Sequence, residues 1–256
     1  MAMMKKAIGS FMIMSFFLLF VLSFTGTAQQ WKETLTPAEW WDKTIDIHGV
    51  YMEKNSQFLD KNGEVFEEAY LNERRNYLHY KDIPIDVIHA FISVEDQSFF
   101  EHRGVDIRGI GRALLTNIEN QSIEQGGSTI TQQLARNLYL TNEKNYERKL
   151  KELIIAYKLE SQYSKEEILE FYINKIYFQN GVYGIEAASR FYFGKQTNEL
   201  TLAEIAFLTA IPNNPTIYNP LTNIEQTKKR QQHILKNMLE NNYISEEEYN
   251  RAIAEN

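Results

Sequence analysis

Apolar residues recur at every third or fourth position through most of the chain after Pro84, and no other feature of the sequence limits the fold so strongly. Residues spaced in this way line one face of an α-helix, and that face has to pack against another element. The spacing predicts helices over 87–95, 107–118, 129–139, 146–162, 165–176, 185–193, 201–210, 226–240 and 245–254. We therefore expect a mainly α fold.

One strand signal precedes these helices. Asn62-Gly63 lies between the apolar pairs Phe58-Leu59 and Val65-Phe66. Asn-Gly between short apolar runs favours the tight turn of a β-hairpin. The sequence therefore predicts one small hairpin over 56–68.

An apolar run without charge, residues 7–24, follows Lys5 and Lys6 near the N-terminus. As a helix it would span about 27 Å, close to the ~30 Å hydrocarbon core of a membrane. The lysines favour a cytoplasmic N-terminus with the rest outside. A cleaved signal peptide with a small-residue site at 26–28 is the alternative. We expect a cytoplasmic stub (1–6), a transmembrane anchor (7–24), a connector (25–55) and a functional domain (56–256).

The composition excludes several classes of protein. The chain has 256 residues, no cysteine and a net charge of −7. The length is ample for a buried core, and the lack of cysteine excludes a disulfide scaffold, a thiolate zinc site and a cysteine nucleophile. Nucleic-acid-binding proteins usually carry a basic excess, so we expect no nucleic-acid partner.

Glu95 and Asp96 end the apolar face of the first predicted helix. A carboxylate on a cleft wall can act as a general base, although most such carboxylates are ordinary rim residues. His102 would lie about two turns further along if the helix continued. A lone histidine is more often structural than catalytic, so these residues alone leave the function open.

A loop with two glycines, Gly126 and Gly127, precedes the helix predicted at 129–139. Backbone N–H groups at the start of a helix can bind an anion. The residues alone favour a simpler interpretation, in which Ser128 is the N-cap. The segment is not a P-loop, because the Lys-Ser/Thr pair at the required spacing is missing.

A cationic patch accompanies a third carboxylate. Arg148 and Lys149 precede Glu152 by four and three residues, so all three can share one side of a helix. Five basic and two acidic residues lie between Arg136 and Lys151, a pattern that suits a phosphate or diphosphate partner or, alternatively, a solvated helix face. The inward face is predicted to contain Leu150, Leu153, Ile154 and Tyr157.

Two separated carboxylates, a cationic patch and a loop rich in hydroxyls and amides together suit glycosyl transfer from a diphosphate-linked sugar. One carboxylate would deprotonate the acceptor hydroxyl, and cations would stabilise the departing diphosphate, so the leaving side needs no acid. Two carboxylates could also serve a glycoside hydrolase. A hydrolase of neutral polysaccharide, however, has no need of five clustered cations.

The sequence contains five ordered motifs: Glu-Asp-x-x-Phe-x-x-His-x-Gly at 95–104, Gly-Gly-Ser-Thr-Ile-Thr-Gln-Gln-Leu at 126–134, Arg-Lys-x-x-Glu at 148–152, Asn-Lys-Ile-Tyr-Phe at 174–178 and Ile-Pro-Asn-Asn-Pro at 211–215. Together they resemble the motifs of the peptidoglycan glycosyltransferases, the transglycosylase domains of class A penicillin-binding proteins and their monofunctional relatives. The resemblance extends over about 56–256. The chain shows no Ser-x-x-Lys motif of a transpeptidase domain, which fits a monofunctional member or a piece of a longer protein.

The resemblance implies catalytic roles for two carboxylates. Glu95 matches the general base that takes the proton from the 4-hydroxyl of the acceptor sugar, and Glu152 matches a second essential carboxylate. The remaining matches are candidate substrate-binding or supporting residues: Asp96, Phe99 and His102 beside the base, Ser128, Thr129, Gln133, Arg136 and Asn137 in the substrate-contacting stretch, and Arg148, Lys149 and Lys151 near the donor diphosphate.

The resemblance also implies a fold, a substrate and a location. The fold would be a lysozyme-like helical head with a small membrane-facing jaw after Asp106, where Ile110, Leu114, Leu115 and Ile118 lie. Lipid II and the lipid-linked nascent glycan would be the substrates, and other cell-wall synthases are candidate partners. The enzyme would face the outside of the cell membrane as a single-pass protein. Mg²⁺ or another divalent cation is the candidate cofactor, although no metal-ligand set is legible.

One position departs from the family pattern, and three rival functions stay open. Gln179 stands where relatives often carry glycine, and a positive φ is costly for glutamine, so the loop is expected to differ there. The rivals are a lysozyme-like hydrolase, a non-catalytic cell-wall scaffold and a module that binds anionic lipid.

Overall fold

A computed structural model of the protein confirms the mainly helical prediction. It describes residues 50, 56–59, 65–69, 74–111, 127–140 and 146–255, all of which belong to the unit Ile47–Asn256. The helices with described bounds are α1 (Ile85–Glu95), α2 (Ile130–Tyr139), α3 (Tyr146–Gln162), α4 (Lys165–Lys175), α5 (Ile185–Phe193), α6 (Leu202–Ala210), α7 (Ile224–Glu240) and α8 (Glu246–Ala254). Residues 107–111 are also helical, and the rest of the helix predicted at 107–118 lies outside the described residues.

The predicted hairpin is present as two paired strands. β1 (Ser56–Leu59) runs antiparallel to β2 (Val65–Ala69), while the Asn62-Gly63 turn lies outside the described residues. A second pairing, which the sequence did not indicate, joins β3 (Arg74–Arg75) in parallel to β4 (Val182–Tyr183). Each of these two strands is only two residues long, too short for a periodic signal.

Two groups of helices meet around buried aromatic rings. α1 packs against α6 and α7, and α2 packs against α3 and α4. Phe91 of α1 meets the ring of Tyr172 in α4 edge to face, with centroids 5.8 Å apart, and both side chains are buried. Aromatic pairs in this geometry stabilise a fold beyond their buried area. The contact therefore ties α1 to the group that contains α2 and α4.

Capping boxes begin four of the helices. Ser164, Thr201 and Ser245 each accept a hydrogen bond from the backbone N–H of a Glu three residues on, and the carboxylate of that Glu accepts one from the backbone N–H of the capping residue. The predicted box at Ser164 is confirmed. The predicted N-cap at Ser128 is wrong by one residue, because Thr129 forms the box with Gln132. A capping box requires Glu or Gln three residues after the N-cap, and Gln132 lies three residues after Thr129.

The predicted inward face of α3 is only partly right. Ile154 is buried, but Tyr157 is 57% exposed. The buried stripe runs instead through Glu152, Ile155 and Leu159, because this is the face that packs on α2. Because the charged Glu152 is part of this buried stripe, the spacing of apolar residues alone predicted the neighbouring face.

The membrane-related predictions fall largely outside the described residues. The predicted anchor, 7–24, and most of the predicted jaw, including Leu114, Leu115 and Ile118, are among them. Within the described part of the chain, no helix has the length and apolar content needed to cross a membrane. At the start of the predicted jaw, Ile107 is 79% exposed and Ile110 is 42% exposed.

The loop before β4 places Gln179 in the left-handed region, with φ of 67°. Asn180 and Gly181 follow at 55° and 73°. Backbone bonds on both sides hold this geometry: Val182 N–H donates to Gln179 O at 3.0 Å, and Phe178 N–H donates to Val182 O at 2.8 Å. The loop therefore adopts the conformation that favours glycine even though glutamine occupies the position.

We expect Gln179→Gly to raise the free energy of unfolding by about 0.5–1 kcal/mol, because relief of the Cβ crowding exceeds the extra chain entropy of glycine. Gln179→Ala, which keeps the Cβ and removes the rest of the side chain, is the control and should give no such gain. Thermal unfolding of the purified chain measures both. Equal melting temperatures for the three proteins would contradict the strain argument.

Candidate functional site

A cleft of about 300 Å³ lies where the end of α1, the start of α2 and one face of α7 meet. Glu95, Asp96 and Arg136 line it together with residues that the sequence did not single out. Further lining residues are Asp106, Gly127, Ser128, Thr129, Gln133, Asn213, Arg230, His233 and Asn237. The motifs at 95–104 and 126–134 therefore both line one site. The motif at 148–152 joins it through a hydrogen bond from Lys149 to Ser128.

Glu95 is the last residue of α1 and is partly exposed to the cleft. Its Oε2 accepts a hydrogen bond from Gln133 Nε2 at 2.8 Å. No other described residue hydrogen-bonds to this carboxylate within the ranges that the structure covers. Among the described residues only Gln133 holds this carboxylate, and Glu95 itself lines the cleft.

Asp96 joins the end of α1 to the start of α2. Its side chain is buried, and both carboxylate oxygens lie 2.9 Å from Nε2 of His102. The backbone N–H of Ile130, in the first turn of α2, donates to the same carboxylate at 3.0 Å. A carboxylate at a helix N-terminus satisfies an N–H group that has no partner within the helix. Asp96 therefore places Glu95 beside α2.

His102 and Phe99 support the site from behind the cleft. α1 ends at Glu95, so His102 returns to Asp96 through a turn and not along a continuing helix. Phe99 is fully buried, with its ring edge to face with that of His102, and Nζ of Lys165 lies 4.3 Å from its centroid. Phe99 and His102 are not among the residues that line the cleft, so the structure places them behind Glu95, beside Asp96.

The loop before α2 is fixed from two directions. Thr129 is 3% exposed, and its hydroxyl donates to the backbone oxygen of Gly104 at 2.6 Å. Gly104 has φ of 83°, and a Cβ there would lie 3.1 Å from the backbone oxygen of Ala156. Ser128, one residue earlier, accepts a hydrogen bond from Nζ of Lys149 at 2.8 Å. Lys149 thus reaches from α3 to the wall of the cleft.

Glu152 is fully buried on α3 and carries two cationic partners. Its Oε2 lies 3.2 Å from Nη1 of Arg148, and its Oε1 is ion-paired with Nζ of Lys149. The predicted shared face of these three residues is confirmed. Glu152 does not line the cleft, and its connection to the cleft wall runs through Lys149, which contacts Ser128.

Two predicted site residues are not brought into this arrangement. Lys151 lies 2.7 Å from Glu147, a carboxylate that is 65% exposed, on another side of α3. Asn137 is exposed and does not line the cleft. The helical period explains both positions, because successive residues of a helix point in directions about 100° apart.

One wall of the cleft was missed by the sequence analysis. Arg230, His233 and Asn237 of α7 line it at spacings of three and four residues, with Asn213 nearby. The spacing was visible in the sequence, but a polar stripe on a helix is normally a solvated face. Only the packing of α7 against α1 shows that this stripe lines the same cleft as Glu95.

Comparison with known proteins identifies the class. The family model described as Transglycosylase matches residues 62–239, so the chain belongs to the transglycosylase family. It is 41% identical over 99% of its length to penicillin-binding protein 4 of Bacillus subtilis (strain 168), covering 41% of that protein. It is 44% identical over 77% of its length to penicillin-binding protein 1A of Aquifex aeolicus (strain VF5), covering 27% of that protein.

The chain spans less than half the length of these relatives. A solved structure, that of penicillin-binding protein 1A from Haemophilus influenzae, aligns with 81% of this chain and 21% of its own, at 26% identity and a TM-score of 0.45. The family membership confirms the resemblance stated from the five motifs.

The described part of the chain contains no set of side chains that could bind the candidate divalent cation. Within those residues, no three His, Asp or Glu side chains converge as metal ligands would. The carboxylates that line the cleft already have protein partners: Asp96 accepts from His102, and Asp106 accepts from Ser98 at 2.5 Å. The described residues therefore supply no ligand set for a resident divalent cation.

We expect Glu152→Gln to lower the free energy of unfolding by roughly 2 kcal/mol, because two cations lose a buried counter-charge. Glu147→Gln is the matched control, since it removes an exposed ion pair on the same helix and should change stability by less than about 0.5 kcal/mol. Urea unfolding followed by circular dichroism measures both. Similar losses in the two variants would show that burial of Glu152 contributes nothing.

Proposed function

We propose that the protein is a peptidoglycan glycosyltransferase that polymerises lipid II by inverting transfer, forming β-1,4 linkages and releasing polyprenyl diphosphate. One observation carries this proposal: Glu95 lines the same cleft as the cation Arg136. A second cation, Lys149, reaches the wall of this cleft by donating to Ser128, and it is ion-paired with Glu152. A base and cations at one cleft are what condensation with a diphosphate leaving group requires.

Glu95 is the general base of the proposed reaction. Gln133 occupies one carboxylate oxygen, and the other can accept the proton of the 4-hydroxyl on the acceptor's N-acetylglucosamine. The resulting nucleophile attacks C1 of the donor's N-acetylmuramic acid from the face opposite the diphosphate. The C1–O bond to the diphosphate breaks as the new C1–O bond forms, so the configuration inverts.

Cations replace a general acid on the leaving side. A diphosphate leaves as an anion, and Arg and Lys side chains stabilise the charge that develops on its oxygens. Arg136 lines the cleft, and Lys149 reaches its wall. In this proposal Glu152 is a positioning residue, since its burial against Arg148 and Lys149 fixes the direction of both side chains.

The geometry favours transfer over hydrolysis. A glycoside hydrolase needs two carboxyl groups that face the same bond across the substrate. Glu152 is fully buried behind its cations and does not line the cleft. The two other carboxylates that line it are held by hydrogen bonds, Asp96 from His102 and Asp106 from Ser98, so in this proposal neither is the second group of a hydrolase. The hydrolase, the scaffold and the lipid-binding module become outcomes of the test.

The test measures polymerisation of labelled lipid II by the full chain and two variants. Glu95→Gln keeps the shape of the side chain but removes the base, so we expect the rate to fall by about 10²–10⁴-fold with an unchanged melting temperature. Glu101→Gln is the control, because Glu101 is exposed and does not line the cleft. It should leave the rate within twofold.

Each rival has its own signature in the same experiment. Soluble fragments released from finished cell-wall sacculi, without polymer from lipid II, would replace the proposal with a hydrolase. An equal rate for Glu95→Gln would indicate that Glu95 is not the base, and no polymer from any protein would favour the scaffold. Binding to anionic vesicles without lipid II, with no turnover, would favour the lipid module.

We also propose that residues 7–24 anchor the enzyme in the cell membrane, with residues 1–6 in the cytoplasm, 25–55 as a connector and 56–256 as the catalytic domain outside. An anchor suits a substrate whose lipid tail confines it to the same surface. Residues 107–111 and the exposed Ile107 and Ile110 are the described start of the proposed jaw of a lysozyme-like head.

Blotting of the mature protein from membranes tests the anchor. We expect the full-length chain to stay in the membrane fraction after a carbonate wash. A mature protein shorter by about 28 residues would instead identify the segment as a cleaved signal peptide.

A further inference from the structure

Tyr172, in α4, lies directly behind the amide that contacts the proposed base. Its hydroxyl donates a hydrogen bond to Oε1 of Gln133 at 3.3 Å, and Nε2 of the same amide donates to Glu95 at 2.8 Å. Tyr172 is 1% exposed, and none of the motif arguments assigned it a function. The three side chains form a chain of hydrogen bonds that runs from the core to the cleft.

We propose that Tyr172 is a positioning residue that keeps the Gln133 amide turned with its N–H₂ end towards Glu95 throughout the catalytic cycle. The proposal rests on the function proposed above. The two ends of a carboxamide have nearly the same shape, so only hydrogen-bond partners decide which end faces Glu95. A donor behind Oε1 fixes that choice.

The direction of the Tyr172 hydrogen bond follows from its surroundings. Burial, and secondarily the nearby carboxylate of Glu95, raises the pKa of the Tyr172 phenol well above its ordinary value. The phenol therefore stays protonated and donates. Among the described residues the only hydrogen-bond partner of this hydroxyl is Gln133, and a buried donor left without a partner is costly. The hydroxyl thus opposes any rotation that takes Oε1 away.

The hydrogen bond from Tyr172 to Gln133 matters most after Glu95 has taken the proton of the acceptor hydroxyl. While Glu95 is ionised, its charge by itself attracts the N–H₂ end of Gln133. Once protonated, the carboxyl group could donate to Oε1 of a rotated amide, and that bond would stabilise the protonated form. That rotation would leave the buried O–H of Tyr172 without its acceptor, so the N–H₂ end of Gln133 stays towards Glu95 and the proton leaves Glu95 for solvent in the cleft.

Kinetics of Tyr172→Phe test the proposal. The variant keeps the ring that packs on Phe91 and removes only the hydroxyl. We expect kcat for lipid II polymerisation to fall about five- to tenfold, the effect of one lost hydrogen bond, with KM within twofold and the melting temperature nearly unchanged. Tyr192→Phe is the matched control, since its hydroxyl donates to the backbone oxygen of Phe178 at 2.7 Å, away from Gln133. Its kcat should stay within twofold.

A double-mutant cycle separates positioning from general loss of packing. Gln133→Leu removes the amide through which Tyr172 acts, so adding Tyr172→Phe to it should change kcat by less than twofold. The same five- to tenfold loss in both backgrounds would overturn the proposal, and so would an unchanged kcat for Tyr172→Phe alone. A wild-type chain that forms no polymer would overturn the proposed function, and this inference with it.

Two unnatural residues keep the test decisive if removal of the hydroxyl impairs folding. p-Methylphenylalanine in place of Tyr172 replaces the hydroxyl by a methyl group, which cannot donate a hydrogen bond. p-Aminophenylalanine replaces it by an amino group of similar size, which can. We expect the amino form to retain at least half of the wild-type kcat and the methyl form to show the loss seen with Tyr172→Phe. Equal rates for the two would contradict a donor role.

Discussion

The carboxylate of Asp96 is the contact on which the rest of the site depends. It is buried between His102 and the backbone N–H of Ile130, so it fixes the end of α1 against the start of α2. Glu95 is the neighbouring residue, and its direction follows from this junction. A carboxylate that satisfies a free N–H at a helix start contributes more than a surface ion pair, because neither partner is solvated.

The two carboxylates for which the resemblance implies catalytic roles are held in opposite ways. Glu95 has one hydrogen bond from a described residue and an open side, as a group that exchanges protons with a ligand requires. Glu152 is fully buried and bound by Arg148 and Lys149, which suits a group that fixes other charges. Both arrangements follow from helix geometry: Glu95 ends its helix, whereas Glu152 lies within the buried face of α3.

Helices were predictable where one element determines the pattern. The three-to-four spacing gave most helices to within two residues, and Ser-x-x-Glu gave the capping box at Ser164. Two of the outcomes that differed depend on contacts between distant segments. The wall formed by Arg230 and His233 exists only because α7 packs on α1, and the buried face of α3 is set by α2. Such contacts leave no periodic signal of their own in the sequence.

The same distinction explains why Tyr172 escaped notice in the sequence while Glu95 did not. A base has to lie at an exposed edge, so its carboxylate interrupts an apolar pattern and becomes visible. A residue that positions the base through a hydrogen bond has to be buried, and Tyr172 fits the apolar face of α4 as any aromatic core residue would. Its hydroxyl acquires a role only where α4 packs on α2 and meets Gln133. Supporting residues of an active site are therefore best sought among buried polar atoms whose partner touches the cleft.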